Sequence, residues 1–308
     1  MYHFIINAKA SSGKGIKYWW IIKRELDNRN INYRAYFTKH SGHATNIAEK
    51  ICKSNYGTKK IVIVGGDGTV NEVINGLHNY NEIILGYIPS GSSNDLARSL
   101  KIPKDPVEAL ENILKPRKFQ YLDHGMMEFM NNNMAPRKFA CSSGIGYDAN
   151  VCYEVQKSTL KKQLNRIGTG KLVYFLIAIK QALGIDFMDA EVIIDGEQRY
   201  FYKKVLLLSG MIHKYEGGGL PMAPSANPSD GKLNVVIVHG LSRLKILAFL
   251  PTIIFGKHIH VKGVETFICS SAEIKATKDM ATHTDGEVPA ICSHIKLSNV
   301  PHQIRMIT

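Results

Sequence analysis

Residues 59–77, KKIVIVGGDGTVNEVINGL, constrain the fold of this chain more than any other stretch. A β-branched run, Ile61, Val62, Ile63 and Val64, empties into Gly65-Gly66-Asp67-Gly68-Thr69, and Val70, Val73, Ile74 and Leu77 follow at helical spacing. That order predicts a strand, a glycine turn and a helix. Three glycines within four residues remove the Cβ atoms that would hold an anion away from the backbone, so N–H groups and the helix N-terminus can face phosphate. Asp67 inside such a turn would repel the anion unless it holds a cation or takes up a proton, which points to Mg²⁺ or to base chemistry. Simple turn formation also accounts for Gly-Gly-Asp-Gly. The turn is neither a Walker A loop nor a dinucleotide fingerprint, so its meaning depends on the rest of the chain.

Up to about residue 115 the same alternation repeats. Strands are expected at 2–7, 32–38, 61–64 and 83–88, and helices at 16–28, 44–53, 70–77, 94–99 and 106–114. Such a βα rhythm implies a doubly wound, mostly parallel α/β domain whose ligands collect at the carboxyl ends of the strands. Past Lys115-Pro116-Arg117 strand-like segments dominate, at 119–122, 138–142, 190–194, 204–208, 233–238, 264–270 and 273–276, with a hairpin signal at Asp195-Gly196. This second half reads as an antiparallel, β-sandwich-like domain. Two helical patterns interrupt it, near 149–156 and at 172–183. The expected organisation is therefore residues 1–118, residues 119–293, and a basic segment 294–308 returning to either domain.

The 308 residues suffice for about two domains with cores of their own. No N-terminal signal pattern is apparent, and the apolar stretches at 172–183 and 246–255 are too short or too interrupted to span a bilayer. A cytoplasmic protein is expected, with peripheral membrane association open to it. Five cysteines without CxxC spacing argue against a disulfide framework and against zinc. The formal charge of +13 suits nucleic acid, an anionic membrane leaflet or a polyanionic substrate. It is dispersed, with clusters only at 101–118 and 157–166, and no nucleic-acid motif accompanies it. Nothing in the sequence fixes the oligomeric state, and a homodimer remains open.

Three further strand ends carry phosphate-friendly residues. Ile88-Pro89-Ser90-Gly91-Ser92-Ser93-Asn94-Asp95 supplies hydroxyls before a helix, although capping explains much of it. Asn7-Ala8-Lys9-Ala10-Ser11-Ser12-Gly13 supplies hydroxyls, a glycine and a lysine, and Thr38 ends another strand. Adjacent parallel strands deliver such loops to one edge. Phosphoryl transfer needs just this kind of support, namely positioned amides, cations and a base for the attacking hydroxyl. Asp285-Gly286-Glu287 offers two carboxylates for that base, but spacing does not separate it from Asp195-Gly196-Glu197.

Gly65-Gly66-Asp67-Gly68-Thr69 with Asn71-Glu72, then Pro89-x-Gly91-Ser92-x-Asn94-Asp95-x-Ala97-Arg98, Ser143-Gly144-Ile145-Gly146-Tyr147-Asp148-Ala149, Asp230-Gly231-Lys232-Leu233 and Asp285-Gly286-Glu287, in this order, resemble the diacylglycerol kinase catalytic-domain family. That family includes bacterial soluble lipid kinases and the sphingosine and ceramide kinases. The resemblance implies a nucleotide-binding α/β domain and a β-rich domain on the lipid side, ATP and Mg²⁺ as cofactors, and a lipid acceptor at an anionic membrane surface. Diacylglycerol heads the acceptors, giving phosphatidic acid. The resemblance further implies that Asn7, Ser11, Ser12, Gly13, Thr38, Gly65, Gly66, Asp67, Gly68, Thr69, Asn71 and Ser92 contact the nucleotide. Glu287 or Asp285 would be the base, Asp67 would share that role or hold Mg²⁺, and Asn227, Asp230 and Lys232 would surround a second, structural Mg²⁺. Ser92 stands where the family commonly has threonine, and no proline follows Asn7. The competing readings are an NAD kinase-like enzyme, which shares a Gly-Gly-Asp-Gly turn and a β-rich second domain, and a non-catalytic nucleotide- or lipid-binding regulator.

Overall fold

The β-branched run extends beyond its four most apolar residues, because Lys59–Gly65 forms one strand, β3. The glycine turn after it is correspondingly short. Asp67, Gly68 and Thr69 already belong to the helix Asp67–Asn75, α3, because the carbonyl of Gly66 accepts the N–H groups of both Thr69 and Val70, at 2.9 and 3.1 Å. The computed structural model describes residues 1–54, 57–157, 177, 180–182, 184 and 186–308. Apart from Lys157, Ile177 and residues 180–182, the helix read at 172–183 and the basic cluster at 157–166 lie outside these.

Contacts divide the chain into two units, residues 1–123 with 301–308, and residues 124–300. In the first unit, Tyr2–Ile6 (β1), Tyr33–Phe37 (β2), β3 and Ile83–Pro89 (β4) lie parallel in the order β4, β3, β1, β2. Met306 adds the C-terminal segment beside Leu85 of β4. The register pairs Ile6 with Phe37 and Val64, and Val64 with Ile88, so all four strands end on one edge.

Alternate residues of these strands face opposite ways. Phe4, Ile6, Val62, Val64, Ile84 and Ile88 pack with Trp19, Ile22 and Leu26 of the helix Lys14–Asn28 (α1) and with Ala109, Leu110 and Ile113 of the helix Pro106–Leu114. Ile5, Ile61, Ile63, Leu85 and Tyr87 are equally buried on the other side, where α3 and the helix His43–Cys52 pack. Cutting Ile22 back to alanine in such a core costs about 2–5 kcal/mol.

The second unit is antiparallel and β-sandwich-like. Gln198–Met211 pairs with Leu233–His239, and that strand pairs with Val264–Cys269. The two long strands Gln198–Met211 and Ser271–Thr284 are bridged twice, by Ser142–Gly146 at one end and by Met188–Ile194 at the other. Leu208, Val235, Ile237, Ile274, Ile295 and Leu297 form the centre of its core.

Both long strands extend well beyond the stretches expected for them, 204–208 and 273–276. The sequence reading also missed the helix Arg243–Ile254. Pro251 lies within that helix, and apolar residues on both its faces hide the 3.6-residue period that would reveal it. No described helix is long and apolar enough to cross a membrane.

Candidate functional site

In the first unit the loops that leave β1, β3 and β4 are tied side chain to side chain. The Asn7 amide donates to Thr69 Oγ1 at 3.1 Å, which joins residues 7–13 to the glycine turn. Ser11 and Ser92 share a hydroxyl hydrogen bond of 3.1 Å. Gly66 and Gly91 meet backbone to backbone, since a Cβ on Gly66 would lie 2.9 Å from the Gly91 Cα. No larger residue fits at that crossing without moving a loop.

Asp67 completes the set. Its two carboxylate oxygens accept the N–H groups of Asp95 and Leu96, at 3.1 and 3.3 Å, and so cap the helix Asp95–Leu100 from a distant loop. The carboxylate predicted to hold a cation or a proton thus has a positioning task already.

Ser11, Ser12 and Gly13 all take positive φ, at 44°, 56° and 100°, immediately before α1. Non-glycine residues there are strained, and strain of this kind gathers at functional sites. The turn leads directly into the N-terminus of a 15-residue helix, where the helix dipole favours an anion. Beside Gly91, Ser90 Oγ is buried with no hydrogen-bond partner among the described residues, a polar atom left for a ligand.

Thr38 ends β2 on the same edge, its N–H bonded to the Ile6 carbonyl at 2.9 Å. Asn71 has no exposed surface and is bonded by the Asn75 amide, so it stands inside the helix packing and not on the edge with the others.

In the second unit Asp285-Gly286-Glu287 follows a buried strand end. Asp285 takes φ 50°, and its carboxylate accepts three backbone N–H groups, from Ala140 and Cys141 at 2.7 Å each and from Ser142 at 3.0 Å. That is an anchor for the turn. Glu287 is exposed, and its carboxylate has no hydrogen bond or ion pair among the described residues. Of the two acids, Glu287 is the one with its oxygens available to a substrate.

Behind this turn lies a cluster to which sequence reasoning assigned no role. His283 is wholly buried, with Nε2 3.0 Å from Asp148 Oδ2 and 3.3 Å from Glu216 Oε1. Ser209 donates its hydroxyl to the same Asp148 oxygen. Burial by itself pushes the His283 pKa down, but the Glu216 and Asp148 carboxylates more than reverse this and carry it up to about 9. The Gly286 N–H, 3.4 Å from Nδ1, suits a neutral ring. The carboxylates stand on the Nε2 side of the ring and the Gly286 N–H on the Nδ1 side. The ligand atoms of Asp148, Glu216 and His283 lie close enough together for a metal ion. The sequence held only slight signals of this cluster: His283 stands two residues before Asp285, and Glu216 just before Gly217-Gly218-Gly219.

The expected second metal loop reads differently. Asp230 accepts the Lys232 N–H at 2.9 Å, Asn227 accepts the Ser229 N–H at 3.2 Å, and the Lys232 carbonyl accepts the Asn299 amide at 2.7 Å. The first two bonds shape the loop locally, and the third ties it to a residue of a later strand.

Comparison with known proteins agrees with these two units. Residues 1–126 match the family model of the diacylglycerol kinase catalytic domain, and residues 141–308 match the YegS C-terminal NAD kinase beta sandwich-like domain. The Bacillus subtilis (strain 168) protein named "Putative lipid kinase YtlR" is 30% identical over 99% of this chain and 98% of its own. A diacylglycerol kinase of Mycobacterium tuberculosis (strain ATCC 25618 / H37Rv) is 26% identical over 80% of this chain and 78% of its own. A solved diacylglycerol kinase from Bacillus anthracis str. Sterne shares the fold with a TM-score of 0.70, at 20% identity, covering 99% of this chain and 95% of that one.

The chain belongs to the diacylglycerol kinase catalytic-domain family. It is a kinase of the lipid-kinase class.

Proposed function

We propose that this protein transfers the γ-phosphoryl group of ATP to the hydroxyl of a membrane lipid, diacylglycerol foremost, giving phosphatidic acid and ADP. The observation that carries the reading is the cross-tied edge of the first unit. The left-handed Ser11-Ser12-Gly13 turn at the start of α1 and the glycine crossing at Gly66 and Gly91 put strained and Cβ-free backbone beside a helix N-terminus, as phosphate binding favours. Ser92 and Thr69 add hydroxyls to this edge, and the Ser90 hydroxyl is buried without a partner among the described residues.

In the reaction the lipid hydroxyl oxygen attacks the γ-phosphorus, the bond to the β-phosphate oxygen breaks, and ADP departs. Glu287 takes the hydroxyl proton. Asp285 holds the turn that presents Glu287, and the Asp148–His283–Glu216 cluster holds the strand beneath it. Mg²⁺ on the nucleotide would neutralise phosphate charge, with Asp67 the carboxylate on this edge suited to it.

Incubation with Mg-ATP labelled at the γ-position and, in separate reactions, vesicles carrying diacylglycerol, ceramide or phosphatidylglycerol should give label in the diacylglycerol reaction alone, as phosphatidic acid. Labelling of NAD in a parallel reaction, with no lipid labelled, would assign the enzyme to the NAD kinase reading. Binding of nucleotide or lipid with no product in any arm would make it a regulator.

A further inference from the structure

The helix Arg243–Ile254 turns an apolar face outward as well as inward. Ile246, Phe249 and Ile253 are buried against the second unit's core. Leu244, Ala248, Pro251 and Phe255 recur at the same helical spacing on the opposite side. Leu244 is 81% exposed, Phe255 74% and Ile254 57%. In a water-facing helix the outer stripe is normally polar, so this stripe lacks a partner among the described residues.

The charges around it indicate which partner. No aspartate or glutamate occurs from residue 231 to residue 264, while Arg243, Lys245, Lys257 and Lys262 are all exposed and flank the stripe at both ends. A second copy of the chain docked face to face would set these cations against one another with no acid to pair them. A protein partner would need an acidic rim around an apolar groove. An anionic bilayer offers both features in one surface, with phosphates for the cations and acyl chains for the side chains.

We infer that the outward face of residues 243–257 is a membrane-docking surface, which lies on anionic lipid with Leu244, Ile254 and Phe255 inserted and Arg243, Lys245, Lys257 and Lys262 at headgroup level. The inference goes beyond phosphoryl transfer, and it draws on the lipid-kinase reading only for its biological sense. Docking needs no nucleotide and no acceptor lipid, so its test can fail while the kinase reading stands, and the reverse.

The test is co-sedimentation of the full chain, without ATP, with vesicles of phosphatidylcholine carrying about one-third phosphatidylglycerol. Wild type should bind these at least tenfold more tightly than pure phosphatidylcholine, and binding should weaken as salt rises. The double variant Leu244→Gln/Phe255→Gln should lose binding at least tenfold. Lys245→Glu/Lys257→Glu should lose it for the anionic vesicles alone. Unchanged circular dichroism and melting temperature exclude unfolding as the cause, and Phe201→Gln, an exposed apolar residue outside this face, serves as the control that keeps binding. Absence of wild-type binding, equal binding by the Leu244/Phe255 variant, or a dimer in light scattering that the same variant dissolves would each overturn the inference.

Discussion

Asp195-Gly196-Glu197 and Asp285-Gly286-Glu287 are the same three residues in the same backbone. The two aspartates both have φ of 50°, and the glycines have φ of 78° and 82°. In each turn the glutamate N–H bonds back to the residue before the aspartate, at 3.1 Å to Ile194 and 3.0 Å to Thr284, as a two-residue hairpin demands. Each aspartate also reaches across to a neighbouring strand. Asp195 accepts the N–H groups of Ser270 and Ser271, at 2.8 and 2.9 Å, where Asp285 accepts three.

The turns part company in the strands below them. Ile193 and Ile194 precede one turn and enter an apolar core, whereas His283 precedes the other and lies buried between Asp148 and Glu216. A motif of this length therefore specifies a turn and an anchor. The charged cluster under it sets one copy apart as a candidate site.

The largest expected difference between the two copies is kinetic. Glu287→Gln should lower kcat for lipid phosphorylation about 10²–10⁴-fold, the range for loss of a general base, and Glu197→Gln should leave it within about twofold. Steady-state rates of the two purified variants check this, and an equal response would erase the distinction.

Next comes stability. Asp285→Ala strands three backbone donors and should cost about 3–5 kcal/mol in urea unfolding, against about 1–3 kcal/mol for Asp195→Ala, which strands two at a more exposed turn.

The pH dependence isolates the buried cluster. The His283 pKa is raised from 6.5 to about 9 in the folded protein, so its contribution is fully present below about pH 6.5 and fades as pH rises through about 9. Unfolding free energy should fall by about 3 kcal/mol across that window. His283→Asn should flatten the fall, and a wild-type profile with no slope there would show the ring to be neutral.

The smallest effect should be the same at both turns. A Cβ on Gly196 or Gly286 meets nothing within 4 Å, so each glycine-to-alanine change should cost only its backbone strain, about 1 kcal/mol. A markedly larger loss at Gly286 would reveal packing over that turn.

The first unit was the more legible in sequence because its pattern is local. Each strand, turn and helix lies within about 20 residues, and the continuous apolar runs of the doubly buried strands β1, β3 and β4 give way to the 3.6-residue period of a helix. The long strands of the second unit carry few such markers. Ser271–Thr284 changes partners along its length, pairing with Met188–Ile194 early and with Ser142–Gly146 late, so its burial pattern follows no single period. Arg243–Ile254 escaped notice for a related reason, since two apolar faces cancel the asymmetry by which a helix is recognised.

The sequence by itself determined where backbone could turn tightly and where hydroxyls, amides and acids would stand along the chain. Glycine's conformational freedom and the periodicity of strands and helices act over a few residues, so they can be read in order. What each acid does was decided only by tertiary structure. Asp67 caps a helix 28 residues away, Asp285 anchors a strand 143 to 145 residues away, and the His283 pKa is raised by carboxylates 135 and 67 residues away in sequence. Hydrogen bonds and Coulomb interactions depend on distance in space and on burial, and neither is written in the spacing of the residues.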